Sequence, residues 1–121
     1  MEVFEKDGKI NFVDKNDVFV GFSYQQDCCE IFGWFYSPKV PKALEAQEED
    51  EFHDRFDPEG FVFDTTFCEE DSGGYGDNWA TFRLVKDGRE VFLVLYNSHN
   101  GYYCHGFEMT LKGTNLHSGG L

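Results

Sequence analysis

Two Asp-Gly dipeptides, Asp7-Gly8 and Asp87-Gly88, lie between stretches in which apolar and polar residues alternate. Asp-Gly is the strongest short signal for a β-hairpin, because both residues of its two-residue turn accept a positive φ. The second dipeptide predicts a hairpin of residues 79–86 with residues 89–97. Because residues 91–96 are apolar on both faces, they predict a central strand. The predicted core face of this hairpin comprises Ala80, Phe82, Leu84, Val91, Leu93 and Leu95.

Further strands are predicted on both sides of this hairpin. The N-terminal hairpin spans residues 3–13 with Val3, Ile10 and Phe12 on one face, and a turn over residues 14–17 follows it. Proline ends one strand because it cannot donate to a ladder of hydrogen bonds. The other predicted strands are residues 18–24, residues 31–36 (ended by Pro38 and Pro41), residues 61–67, and residues 102–111, which run back against residues 89–97 from a turn at Asn100-Gly101.

The composition sets the fold class. The chain has 22 aromatic residues against 18 Leu, Ile and Val residues and only three Ala residues. Aromatic and β-branched residues favour strands, whereas a helix bundle would be richer in Ala and Leu. A chain of 121 residues can bury one sizeable core but not two. We therefore expect a mainly β (β-rich α+β) protein: an antiparallel meander sheet or sandwich of about seven strands with one short helix.

The predicted domain covers residues 1–112, with an acidic insertion at about residues 42–60. Residues 42–48 are helix formers and predict the short helix. The rest of the insertion is expected to be an exposed loop. Residues 113–121 are rich in Gly, Ser and Asn and predict a frayed tail.

The net charge limits which classes of partner the protein can bind. Asp and Glu number 23 against 10 Lys and Arg, so the net charge is −13. Such a field repels nucleic acids and anionic membranes, so we expect no direct binding to either. The sequence does not open on a basic and then apolar leader, and no apolar run reaches the length of a membrane span. We expect a cytoplasmic protein that binds a protein partner with a basic surface.

Carboxylates concentrate in two predicted loops, residues 45–59 and residues 69–77. On an exposed surface they could imitate the phosphates of a nucleic acid and occupy a basic groove, with fast, salt-sensitive association. Strong net charge also serves simply to keep an aromatic-rich protein soluble. The candidate partner-binding residues are Glu48, Glu49, Asp50, Glu51, Asp54, Asp57, Glu69, Glu70, Asp71 and Tyr75, with Phe56 as a second exposed aromatic anchor.

Cys28, Cys29, Cys104 and His105 combine the thiolate and imidazole donors of structural zinc sites. Zinc modules usually separate paired ligands by two to four residues, whereas these pairs are adjacent and diverge on a strand. Packing of the Cys residues as small buried side chains is therefore the preferred interpretation. A thiol nucleophile would need Cys28 or Cys29 beside His99 or His105, and no catalytic signature surrounds them. No cofactor is predicted.

Two short motifs in the chain are similar to motifs of another protein family. Asp27-Cys28-Cys29-Glu30 precedes an aromatic strand that contains Trp34, and Asn97-Ser98-His99-Asn100-Gly101-Tyr102-Tyr103 lies near the end. In these features the chain resembles an uncharacterised domain family of phages and bacteria, with an Asp-Cys-Cys element and an Asn-Gly-Tyr-Tyr hairpin. The resemblance implies a small β-rich, phage-associated protein in a bacterial host cell, and it supplies no established activity.

We therefore predict a non-enzymatic acidic interaction protein, a phage or mobile-element inhibitor that mimics nucleic acid and binds a basic nuclease or CRISPR-type effector. An immunity protein for a toxin nuclease is one alternative, because it would carry the same charge. A thiol- or metal-dependent enzyme, or a ligand-binding domain, is the other. It would use the Cys28/Cys29 and His99/His105 regions.

Overall fold

The computed structural model describes residues 1–25, 31–44, 46–73, 76–98 and 104–121, and of residues 46–50 it describes the backbone alone. Within these ranges the chain forms nine strands and one helix. In chain order they are β1 (Glu2–Lys6), β2 (Lys9–Val13), β3 (Val18–Ser23), β4 (Ile31–Ser37), α1 (Ala46–Arg55), β5 (Val62–Ser72), β6 (Asp77–Lys86), β7 (Arg89–Ser98), β8 (Gly106–Leu111) and β9 (Thr114–Gly120).

The strands form two antiparallel sheets. One has the order β1-β2-β3-β8-β9 and the other the order β4-β7-β6-β5. Their inward faces share one apolar core, in which Phe82 and Phe107 from opposite sheets meet at 5.8 Å between ring centroids. The mainly β, antiparallel class is confirmed, with nine strands in the described residues instead of about seven. None of the helical residues described forms a helix long and apolar enough to cross a membrane.

Both Asp-Gly hairpins are confirmed. Asp7 and Gly8 have φ of 56° and 74°, and Asp87 and Gly88 have φ of 48° and 79°. The predicted pairing of β6 with β7 is also confirmed, since Ala80 lies opposite Leu95, Phe82 opposite Leu93 and Leu84 opposite Val91. The predicted central position of β7 is confirmed, and its neighbours in the four-stranded sheet are β4 and β6.

The predicted pairing of residues 102–111 with residues 89–97 is wrong. The described part of that segment, β8, lies in the other sheet between β3 and β9. Phe107 and Met109 consequently face the core from the sheet opposite β7. The predicted turn at Asn100-Gly101 lies outside the described residues.

The C-terminal residues form a strand where a frayed tail was predicted. β9 pairs with β8, and a turn at Lys112 and Gly113 with φ of 50° and 81° joins the two strands. Leu121 is 3% exposed and belongs to the core. Its backbone N–H donates to the carbonyl of His105 and its carbonyl accepts from the N–H of His105, both at 2.8 Å.

The buried carboxylate of Asp14 ties the two sheets together. It lies in the turn between β2 and β3 and accepts the backbone N–H of Asn16 at 2.9 Å and of Val18 at 3.0 Å. Its second oxygen accepts the N–H of Phe63 in β5, in the other sheet, at 2.8 Å. Because buried N–H groups need acceptors, one side chain satisfies donors from both sheets.

Candidate functional site: an acidic helix and an aromatic pocket

The central part of the acidic insertion forms helix α1, so the prediction of a helix over residues 42–48 followed by a loop is wrong. The helix covers Ala46–Arg55 instead. Glu48 and Glu49 near its N-terminus and His53 and Arg55 in its last turn suit the helix dipole. The exposed pair of Arg55 Nη2 and Glu51 Oε1, at 3.0 Å, has the favourable i,i+4 spacing.

Aromatic side chains hold this helix against strand β4. Phe56 contacts Tyr36 and Phe61 at ring-centroid distances of 4.8 and 5.0 Å, and Phe52 stacks on Phe56 at 5.6 Å. Phe52 and Phe56 are half-buried, so Phe56 is part of the helix attachment and not the exposed anchor that was predicted. The i,i+4 spacing of these two Phe residues is what presents both to the sheet.

His53 makes the most specific contact between α1 and the sheet. Its Nδ1 accepts the backbone N–H of Tyr36 at 3.1 Å. Its ring lies 5.1 Å from Trp34 and 5.5 Å from Tyr36, stacked on the latter. Because β4 is an edge strand, this bond satisfies an N–H that points away from the sheet. Sequence reasoning missed His53, although its position next to Phe52 in a helical pattern was the available signal.

Acidic residues make up half of helix α1. Glu51, Asp54 and Asp57 are exposed, and the backbone of α1 places Glu48, Glu49 and Asp50 in the same helix. Residues 48–54 rise about 10 Å along the helix axis. The sequence therefore has one acidic residue per about 2 Å of helix axis on that stretch, close to the about 1.7 Å of axis per charge in duplex DNA.

A second acidic segment, Glu69, Glu70 and Asp71, lies in β5 and not in the predicted loop. All three are exposed, and no ion pair involves them among the described side chains. β5 and β4 are opposite edges of one sheet, about 14 Å apart at the usual strand spacing. Burial of the neighbouring Cys68 thiol raises its pKa to about 11, and the negative charges of Glu70 and Glu69 contribute to the same shift.

An apolar pocket of about 240 Å³ opens beside α1, on the outer side of β4 and β7. Phe35 and Tyr96, 5.9 Å apart between ring centroids, contribute rings from adjacent strands. Gly33 lies beneath the Tyr96 ring, where a Cβ would come within 2.8 Å of the Tyr96 hydroxyl. The pocket is lined by Ile31, Trp34, Phe35, Leu44, His53, Tyr96 and Ser98.

The Cys and His candidates do not form a described cluster. Cys28, Cys29 and His99, like Tyr75, lie outside the described residues. Cys104 is exposed and His105 is buried, so the two point apart as adjacent strand residues do. Within the described ranges no three His, Cys, Asp or Glu residues come together as a metal site.

His105 has contacts typical of a core residue. Its ring stacks on Phe32 at 4.1 Å, and its Nδ1 lies 2.8 Å from the carbonyl oxygen of Ser23. Asn97, from the start of the second resemblance motif, donates through Nδ2 to the carbonyl of Leu121 at 2.9 Å. The Asn97 side chain therefore links Leu121 to β7, and the His105 ring contacts residues of both sheets, Ser23 in β3 and Phe32 in β4.

Comparison with known proteins gives one family. Residues 1–109 match the family model described as a domain of unknown function, DUF7448. The chain belongs to this family. The match agrees with the expected uncharacterised family. Neither the curated proteins nor the solved structures contain a match to this chain.

Proposed function

We propose that this DUF7448 chain is a non-enzymatic interaction protein that imitates the charge of a nucleic acid. Its partner is a basic nuclease or CRISPR-type effector, which it inhibits on behalf of a phage or mobile element. The observation that carries the proposal is the acidic helix α1, which packs against the sheet and whose sequence has one acidic residue per about 2 Å of helix axis, near the about 1.7 Å per charge of duplex DNA.

The attachment of α1 supports recognition because a fixed helix does not lose freedom on binding. Phe52, His53 and Phe56 occupy the inner side, so the exposed Glu51 and Asp54 lie on the side away from the sheet. Groups that are held in place before binding lose less conformational entropy when the interface forms. The acidic helix is thus a better partner surface than an acidic loop of the same composition.

Strand β5 offers a second charged row. Glu69, Glu70 and Asp71 carry one charge per residue at a rise of about 3.4 Å, the spacing of charges along one strand of B-DNA. Alternation places them on both faces of the strand, so only part of the row can meet one partner surface. We therefore assign the main contact to α1 and a supporting one to β5.

The test is displacement of labelled duplex DNA from a purified nuclease or CRISPR-type effector, followed by fluorescence anisotropy. The wild-type chain should displace the DNA. A variant with Glu48, Glu49, Asp50, Glu51 and Asp54 changed to their amides has its charge reduced from −13 to −8. It should displace the DNA about tenfold less well, because five ion pairs with the partner at roughly 0.3 kcal/mol each come to about 1.5 kcal/mol, close to the about 1.4 kcal/mol of a tenfold change.

A matched control separates the helix from net charge. Glu2, Glu5, Asp7, Asp17 and Asp87 are also exposed carboxylates, and their amides reach the same charge of −8. Equal losses in the two variants would reject the helix as the contact. Binding only to a toxin nuclease encoded beside the gene would instead support an immunity protein.

A further inference from the structure

The pocket beside α1 has the size of a site for one side chain. Its volume of about 240 Å³ is below the roughly 300–1,000 Å³ of sites for small molecules. Ile31 at its border is 68% exposed, the most exposed of the described large apolar side chains. A partner that covered this border would remove an apolar surface from water, which is the usual anchor arrangement at interfaces.

The lining of the pocket favours a cation with a long apolar stem. Four rings contribute to it, those of Trp34, Phe35, His53 and Tyr96. The faces of Trp, Tyr and Phe attract ammonium and guanidinium groups within about 6 Å, and guanidinium also stacks on them because it is planar. Ile31 and Leu44 supply aliphatic contacts for the methylene groups of such a side chain.

The helix that borders the pocket is acidic in sequence, and the chain as a whole has a net charge of −13. His53 belongs to both α1 and the pocket lining, and Glu49 and Asp50 precede it by one helical turn. No Lys or Arg contributes to the described lining. A cation bound here would therefore lie in a negative field and next to the helix that the proposed function assigns to the basic partner.

We infer that this pocket binds one arginine side chain of the basic partner, with the guanidinium against the rings of Phe35 and Tyr96 and the stem along Ile31 and Leu44. The inference rests on the proposed function and adds to it a specific anchor. Charge along α1 would then bring the partner in, and the arginine pocket would fix its position.

The probe is N-acetyl-argininamide, titrated into the full ¹⁵N-labelled chain and followed by two-dimensional NMR. N-acetyl-norleucinamide serves as the probe with a similar stem and no charge. We expect saturable shifts for the amides of Phe35, His53 and Tyr96 with the arginine probe, and weaker binding of the norleucine probe. Tyr96→Leu should weaken arginine binding about threefold to fivefold. Phe19→Leu, at a 39% exposed Phe on the other sheet, should leave it unchanged.

Two results would overturn the inference. Equal affinity for the arginine and norleucine probes would make the pocket merely apolar, and shifts spread over the acidic surface without saturation at the pocket would indicate unspecific charge binding. Failure of the proposed function is distinguishable. If the arginine probe saturates the pocket and no basic effector binds, the function is wrong and the pocket stands. If the effector binds and the probe does not, only the pocket is wrong.

Discussion

The hydrogen bond from Tyr36 N–H to His53 Nδ1 is the contact on which the position of the acidic helix depends most directly. His53→Phe keeps an aromatic ring against Trp34 and Tyr36 and removes the acceptor. Tyr36 is 4% exposed, so its N–H would lose its acceptor in a buried position. The free energy of unfolding should fall by about 1–3 kcal/mol, the cost of an unsatisfied buried donor.

His53→Asn is the complementary variant, because its side-chain oxygen can still accept the Tyr36 N–H while the ring is lost. Two aromatic contacts at about 0.5–1.5 kcal/mol each disappear, so a loss of about 1–3 kcal/mol is expected here as well. His53→Ala should cost more than either variant. Urea unfolding followed by tryptophan fluorescence gives the free energies, and amide exchange at Tyr36 identifies the bond. If His53→Phe leaves both the unfolding free energy and the Tyr36 exchange rate at their wild-type values, this hydrogen bond does not hold the helix.

Three further predictions test the scaffold. Asp14→Asn should lower the free energy of unfolding by about 1.5–3 kcal/mol in the same urea assay, because a charged acceptor of buried donors becomes neutral; an unchanged midpoint would contradict this. Leu121→Ala should cost about 2–5 kcal/mol as a core truncation, whereas a frayed terminal residue would cost nothing. In per-site iodoacetamide labelling, exposed Cys104 should react before Cys68 at pH 8, and the Cys68 rate should keep rising up to its pKa of about 11 because only the thiolate reacts. A plateau for Cys68 below pH 9 would contradict the raised pKa.

The raised pKa of Cys68 also makes the stability of the folded protein depend on pH. The pKa of this thiol is higher in the folded state than its ordinary value of 9.0, so the neutral thiol is compatible with the folded protein and the thiolate favours unfolding. The contribution of the neutral thiol to stability is complete below pH 9 and is lost as the pH rises toward 11. Cys68→Ser should accordingly reduce the loss of stability between these two pH values, measured by urea unfolding at each pH.

Local turn chemistry explains why the hairpins could be predicted. Asp7-Gly8 and Asp87-Gly88 specify their turns by themselves, and strand alternation then sets which residues face the core. The sheet to which β8 belongs depends on its pairing with β3, which lies far earlier in the chain, and no local pattern encodes that pairing. β9 was missed for a different reason: its Gly- and Ser-rich sequence is a poor strand former, and pairing with β8 and burial of Leu121 stabilise it.

The sequence predicted that the candidate site is acidic, but it did not predict that these residues form a helix or that a pocket lies beside it. Like charges one turn apart, such as Asp50 and Asp54, disfavour an isolated helix, which is why the acidic run resembled a loop. Packing of Phe52 and Phe56 against Tyr36 supplies the stability that propensity lacks. The pocket combines rings from β4 and β7 with residues around α1, and such a juxtaposition exists only after folding.

The salt dependence of binding to a basic nuclease or CRISPR-type effector tests the central proposal most directly. Affinity is measured over a series of salt concentrations for the wild type, the α1 amide variant and the control amide variant of equal charge. We expect a steep fall in affinity with salt for the wild type and the control, and a clearly shallower one for the α1 variant. Equal slopes for the two variants, or no complex with any such partner at low salt, would contradict it.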